Sequence, residues 1–166
     1  VLSGNDSARL QQALVKTKQS AVSVSAGYEA VARGPGMFMI DATPAPGKSV
    51  GEVEKAIRDQ LERLQRDGIS EAELARVKAQ VIAADVFQRD SLFYQAMQLG
   101  EYVTAGLPPE ALEHRVDKLR AVSAQDVQAA ARQWLKDDQL SVATLEPQPL
   151  QPQAHRAAVP GVRDDN

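Results

Sequence analysis

The stretch Ser70–Pro147, SEAELARVKAQVIAADVFQRDSLFYQAMQLGEYVTAGLPPEALEHRVDKLRAVSAQDVQAAARQWLKDDQLSVATLEP, decides the fold. Ser70-Glu71-Ala72-Glu73 spells a capping box, in which serine and glutamate satisfy each other's free backbone amides at a helix start. Leu74, Val77, Val81 and Ala84 then recur at helical spacing and predict a helix running toward Asp90 with those residues inward. Ser91 caps a second helix with Leu92, Ala96, Leu99 and Val103 inward, ending at Gly106. Pro108 or Pro109 suits the first turn of a third, where no amide is needed, and Leu112, Val116 and Leu119 form its apolar face. Ser123-Ala124-Gln125-Asp126 opens a fourth, with Val127, Ala130, Ala131, Trp134 and Leu135 inward. Leu140 to Leu145 reads as a strand whose only available pairing is with a sheet earlier in the chain.

That sheet is legible upstream. Asn5, Asp6 or Ser7 can cap a short helix to about Lys18, with Leu10, Leu14 and Ala13 on one side. From Ala21 the period becomes two: Val22, Val24 and Ala26 alternate with Ser23, Ser25 and Gly27, and Tyr28 and Glu29 extend the run. Gly34-Pro35-Gly36 is turn chemistry, without the lysine and strand-to-helix setting of a phosphate loop. Phe38, Ile40 and Ala42 then alternate with Met37, Met39 and Asp41, so the two runs predict an antiparallel pair. Pro44, Pro46 and Gly47 end the second strand. Ser49-Val50-Gly51-Glu52 is another capping box, and Val53, Ile57, Leu61 and Leu64 form the stripe of a helix ending near Gly68. The expected class is α+β, a small antiparallel sheet covered on one face by several helices.

The 166 residues are 43% apolar, enough for one compact core, so residues 1–146 are expected to form a single domain. Residues 147–166, with Pro147, Pro149, Pro152 and Pro160 and no apolar period, read as an extended tail. Val1-Leu2-Ser3-Gly4 resembles the last turn of a helix with a glycine stop and lacks an initiator methionine, so a fragment of a larger subunit is expected. With 22 acidic and 19 basic side chains interspersed, no basic face points to nucleic acid. The apolar runs are too short to span a bilayer. The lack of cysteine removes disulfides, thiolate nucleophiles and cysteine zinc sites, and leaves the compartment open.

Glu110-Ala111-Leu112-Glu113-His114 falls one residue short of the H-x-x-E-H arrangement that sets two imidazoles and a general base on one helix face. Glutamate stands where the first histidine would be, no further ligand cluster lies nearby, and acidic residues at a helix start complement its dipole. His155, the other histidine, falls in the proline-rich tail, where a solvated imidazole is expected rather than a member of a Ser-His-Asp assembly. The pairs Glu52/Glu54, Glu71/Glu73 and Asp137/Asp138 sit where capping and solvated carboxylates sit. No residue is therefore assigned a catalytic, cofactor-binding or metal role.

Certain landmarks, in this order, carry a resemblance. They are Leu2-Ser3-Gly4 through Ser7-Ala8-Arg9-Leu10, Gly68-Ile69-Ser70 with Glu73-Leu74, Asp90-Ser91, Gly100 through Gly106, Ala121 through Val127, Ala130-Ala131-Arg132 and the closing Leu140 to Pro147. The series resembles the C-terminal half of a subunit of the insulinase/pitrilysin-type zinc metallopeptidases, which include the mitochondrial processing peptidases. The resemblance implies a processing-peptidase-like domain, truncated on its N-terminal side. It also implies a clamshell in which an upstream domain carries zinc and a homologous domain without zinc closes the chamber over a peptide or unfolded protein. Where such a second domain assists catalysis, an arginine and, seven positions on, a tyrosine reach the substrate; the matching positions here are Val15 and Val22, which can donate nothing to an oxyanion. Arg9 and Tyr28 are of the right type at the wrong offsets.

The expected function is thus that of a noncatalytic C-terminal domain of a zinc endopeptidase subunit, inactive alone, that encloses and positions peptide substrate. Zinc is expected in the upstream domain, and that domain and a homologous subunit are the expected partners. The alternative is a scaffold module from an inactive homologue. By resemblance alone the compartment is the periplasm or cell envelope of a bacterium.

Overall fold

The computed structural model describes residues 1–147; the expected tail and His155 lie outside the described residues, apart from Pro147. The chain runs from a π-helix, Gln11–Thr17, into β1 (Ala21–Tyr28) and β2 (Phe38–Pro44). Six α-helices follow: α1 (Val50–Asp67), α2 (Glu71–Gln88), α3 (Leu92–Thr104), α4 (Glu110–Glu113), α5 (Arg115–Ala121) and α6 (Ala124–Trp134). The expected α+β class holds, with a two-stranded antiparallel sheet whose inner side packs against the π-helix and α1.

The first helix differs from expectation in pitch. Lys18 N–H reaches back five residues to the Ala13 carbonyl at 3.0 Å, the signature of the wider π turn. Leu10 and Leu14, four apart, still fall on one side and are fully buried. Gln19 takes a positive φ of 48°, turning the chain into β1, and Ser20 N–H then bonds the Leu14 carbonyl at 2.8 Å.

β1 departs from strict alternation. Ala21 faces Pro44 and Ser23 faces Thr43, so two steps on β1 match one on β2 and Val22 is the extra residue of a β-bulge. The bulge turns Val22 outward, 55% exposed, while Ala21 before it and Val24 after it are both buried. On β2, Ile40 and Ala42 pack against the core as their alternation predicts.

Ser49 and Glu52 form the full capping box at the start of α1, and Gly68 ends it at φ 68° with its N–H on the Leu64 carbonyl. Val53, Ala56 and Leu64 are buried along α1, with Ile57 and Leu61 partly so. Side chains of α6 satisfy carbonyls left free at the end of α1. Gln128 Nε2 donates to the carbonyls of Gln65 and Arg66, both at 3.0 Å, and Arg132 Nε donates to Gln65 at 2.6 Å. In return Gln65 Nε2 donates to the Leu135 carbonyl at 2.5 Å. The core joins Leu2, the π-helix leucines, the inner sheet face, the α1 stripe, Ile69, Leu74 and Ala131.

Beyond Leu74 the sequence reading overstates burial. Val81 and Ala84 of α2 are exposed; Asp85 is the buried residue there. On α3 the expected inward set Leu92, Ala96, Leu99 and Val103 is exposed, Leu92 at 82%, and Gln98 and Tyr102 are buried instead. The physical reason is that α2 beyond Leu74, α3, α4 and α5 pack chiefly on one another, outside the main core. The amphipathic stripe of α3 thus meets no layer among the described residues. The expected third helix is broken at His114, whose ψ of 1° interrupts it, into α4 and α5. Trp134 and Ala130 of α6 are exposed. Leu140 to Leu145 is not a strand: it lies exposed and joins neither edge of the sheet, and an extended segment has no internal hydrogen bonds to hold it as one.

Candidate functional site

The carboxylates weighed from sequence separate by environment. Glu52 accepts from the Ser49 backbone N–H at 2.8 Å, and this bond chiefly holds its carboxyl below the usual range. Asp126 behaves likewise, its pKa lowered first by the Ser123 N–H and then by the Ser123 hydroxyl. Glu54 pairs with Arg58 at 2.8 Å along α1, and Arg58 also reaches Asp137. Each is a cap or a surface ion pair.

Glu73 is different. Ser70 Oγ accepts from the Glu73 N–H at 3.1 Å, so half of the capping box forms, but the Glu73 carboxylate does not return to Ser70. Arg9 Nε and Nη2 donate to its two oxygens at 2.9 and 2.7 Å, and Nη2 also donates to the Gly68 carbonyl at 2.9 Å. The Arg9 bonds hold the Glu73 carboxyl below its usual range. Arg9 is fully engaged here, and Tyr28 lies exposed at the far end of β1, so the structure does not bring the two together as an assisting pair. Val15 is half-buried against the core and Val22 sits on the bulge; neither offers a polar atom.

The residues of Glu110 to His114 do not fit a zinc ion. α4 ends at Glu113, so Glu110 and His114 share no unbroken helix. Among the described residues no three His, Asp or Glu side chains converge as a metal site would require.

Asp85 and Gln60 are among the buried polar residues that escaped the sequence reading. Asp85, 5% exposed, receives Arg89 Nη2 at 2.8 Å and Arg115 from α5, and so ties α5 to α2. Gln60, 8% exposed, lies on the buried side of α1 three residues after Ile57 and four before Leu64. Its position on the stripe was the available signal, and its polar type concealed it.

Gln60 opens on a groove of about 570 Å³ between the π-helix and α1, with Gln12, Thr17 and Lys18 on one wall and Arg63 and Asp67 beside it on the other. A smaller depression at the start of α1 holds Lys18, Lys48 and Lys55, each facing Asp59 or Glu52 within 4 Å. No helix among the described residues is long and apolar enough to cross a membrane.

Residues 1–81 match the family model described as the Peptidase M16 inactive domain. In fold the chain is similar to a candidate zinc protease from Bordetella pertussis Tohama I, with a TM-score of 0.76 and 25% identity over 89% of this chain and 80% of that one. It is also similar to the inactive peptidase domain of a candidate zinc protease from Bordetella parapertussis, with a TM-score of 0.74 and 26% identity over 90% and 81% of the two chains. A protease from Helicobacter pylori shares the fold at a TM-score of 0.75 and 22% identity over 81% of this chain, which spans 32% of that protein. No curated protein matches significantly.

Proposed function

From a chain that matches the inactive domain of the M16 peptidases, we propose a noncatalytic C-terminal domain of a zinc-dependent endopeptidase subunit, one that encloses and positions a peptide or unfolded protein substrate. The match of residues 1–81 to a domain described as inactive carries this reading. Its contribution to catalysis is then geometric: walls that hold a substrate in place reduce the entropy lost at the chemical step without touching the reacting bond. The zinc-bearing domain and a homologous subunit are the partners this reading requires, and the periplasm or cell envelope of a bacterium is the compartment it expects.

The test is direct. The 166-residue chain, assayed for bound zinc by elemental analysis and for cleavage of a quenched-fluorescence peptide library, is expected to show neither stoichiometric zinc nor turnover. Stoichiometric zinc with robust hydrolysis would sink the reading. A second reading, a scaffold module from an inactive homologue, is favoured by one observation: Val15 and Val22 present no group to a substrate. It requires that the gene lack an intact H-x-x-E-H upstream, which sequencing decides.

A further inference from the structure

α3 carries its apolar stripe outward. Its buried residues are Gln98 and Tyr102, with Tyr94 half-buried on the same side. Leu92, Ala96, Leu99 and Val103 all stand exposed, and Phe93 beside them is 80% exposed. By helical periodicity these residues fill the arc between Gln95 and Glu101, and that arc holds no charge. α3 packs chiefly on α4, which leaves the arc open.

The spacing of the stripe says what fits it. Steps of four, three and four residues are those of a coiled-coil seam, which takes another helix as its complement. The same steps read alike in both directions, so a two-fold axis midway between Met97 and Gln98 maps the seam onto itself. In that antiparallel register Leu92 meets Val103 of a second copy, and Ala96 meets Leu99, small against large. A parallel register would set Ala96 on Ala96 and leave a hole. Of the flanking positions, Phe93 then lies against Gly100 of the second copy. A Cβ on Gly100 would meet nothing within 4 Å in its own chain, so no intramolecular contact requires glycine at this helix-interior position. The close approach of a second helix does. The antiparallel arrangement also opposes the two helix dipoles.

We propose that two copies of this chain associate through α3, antiparallel about the midpoint of the Leu92–Val103 seam. The seam with Phe93 and Met97 offers on the order of 500 Å² per copy, so the pair buries on the order of 1,000 Å² in total, the lower bound for a specific interface. A weak, reversible dimer follows. α3 is folded before it pairs, so little ordering opposes the association. The inference goes beyond the peptidase reading and does not depend on it.

Sedimentation velocity of the 166-residue chain between about 5 and about 500 µM tests the contact, and the mean mass is expected to rise from monomer to dimer across that range. Leu92→Glu, Leu99→Glu and Ala96→Lys each set a charge in the apolar seam and are expected to weaken the dimer about tenfold or more. Met37→Glu, at an exposed residue of the loop before β2, is expected to leave it unchanged. Because Ala96 faces Leu99, an equimolar mixture of the Ala96→Lys and Leu99→Glu chains is expected to recover the dimer to within about threefold. Thermal unfolding at low concentration checks each variant, and Leu92→Glu, on a side chain 82% exposed, keeps the test decisive if Leu99→Glu folds poorly. A chain that stays monomeric throughout, as when another segment or a foreign helix covers the face, overturns the proposal. So does a dimer indifferent to Leu92→Glu, or a mixture of the folded, oppositely charged variants that fails to pair. The zinc and cleavage assay is blind to this contact, so the two readings fail separately.

Discussion

Arg9 grips both oxygens of Glu73 and fastens the start of α2 to a residue 64 positions earlier in the chain. The glutamate that would have closed a local cap serves a long-range tie instead, and the same guanidinium also takes up the Gly68 carbonyl at the bend between α1 and α2.

Because Arg9 holds the Glu73 carboxyl below its unfolded value, the pair contributes stability above the ordinary carboxylate range, and the contribution fades as pH falls through the depressed folded value. Glu73→Gln is expected to cost about 1–2 kcal/mol at about pH 7, where both partners are charged. Urea unfolding of the two proteins at about pH 7 and about pH 2 checks it. A difference that persists undiminished in acid would show that charge is not what holds the pair.

Leu10 and Leu14 are fully buried, whereas Leu92 is 82% exposed. Truncating either core leucine to alanine is expected to cost about 2–5 kcal/mol, and Leu92→Ala less than about 0.5 kcal/mol. Chemical denaturation of the three variants tests whether the core lies where the π-helix meets the sheet.

Gly68 adopts φ 68° and ψ −148°, a region that side chains other than glycine's do not favour, and a Cβ there would stand 3.2 Å from Gln128 Cδ. Gly68→Ala is expected to cost about 1–3 kcal/mol. Hydrogen exchange should show the loss first at the junction of α1 with α6, because Gln128 must give way from the Gln65 and Arg66 carbonyls.

Asp85→Ala removes the acceptor shared by Arg89 and Arg115 and is expected to cost about 1.5–3 kcal/mol in the outer helices. Amides of α5 should then exchange faster while those of α1 and β1 keep their protection. Uniform loss across the chain would mean that the outer helices and the core unfold as one.

The sequence was most readable where a local rule decides alone. Ser49, Ser70, Ser91 and Ser123 all cap the helices expected of them, since a cap needs only its own next three residues. It was least readable where layers meet. The period of α3 identifies its apolar stripe, but periodicity does not say whether another layer covers that stripe, and Leu92, Leu99 and Val103 stand exposed. Leu140 to Leu145 failed as a strand for a related reason, since strand propensity describes one member of a pairing. At the groove, Gln60 lay on a legible stripe but was passed over because only apolar residues were counted inward.

The bulge at Val22 has a last consequence. Side chains on a strand are read in twos, so one extra residue acts on β1 as a frameshift acts on a message. Ala21 is set in one frame by the helix that precedes it, and Val24 and Ala26 in the other by their pairing with β2. Val22 is the extra letter, and the bulge that ejects it lets both be read inward. Removing it would bring Ala21 and Val24 two apart, the ordinary same-face period, and leave a regular strand with no bulge.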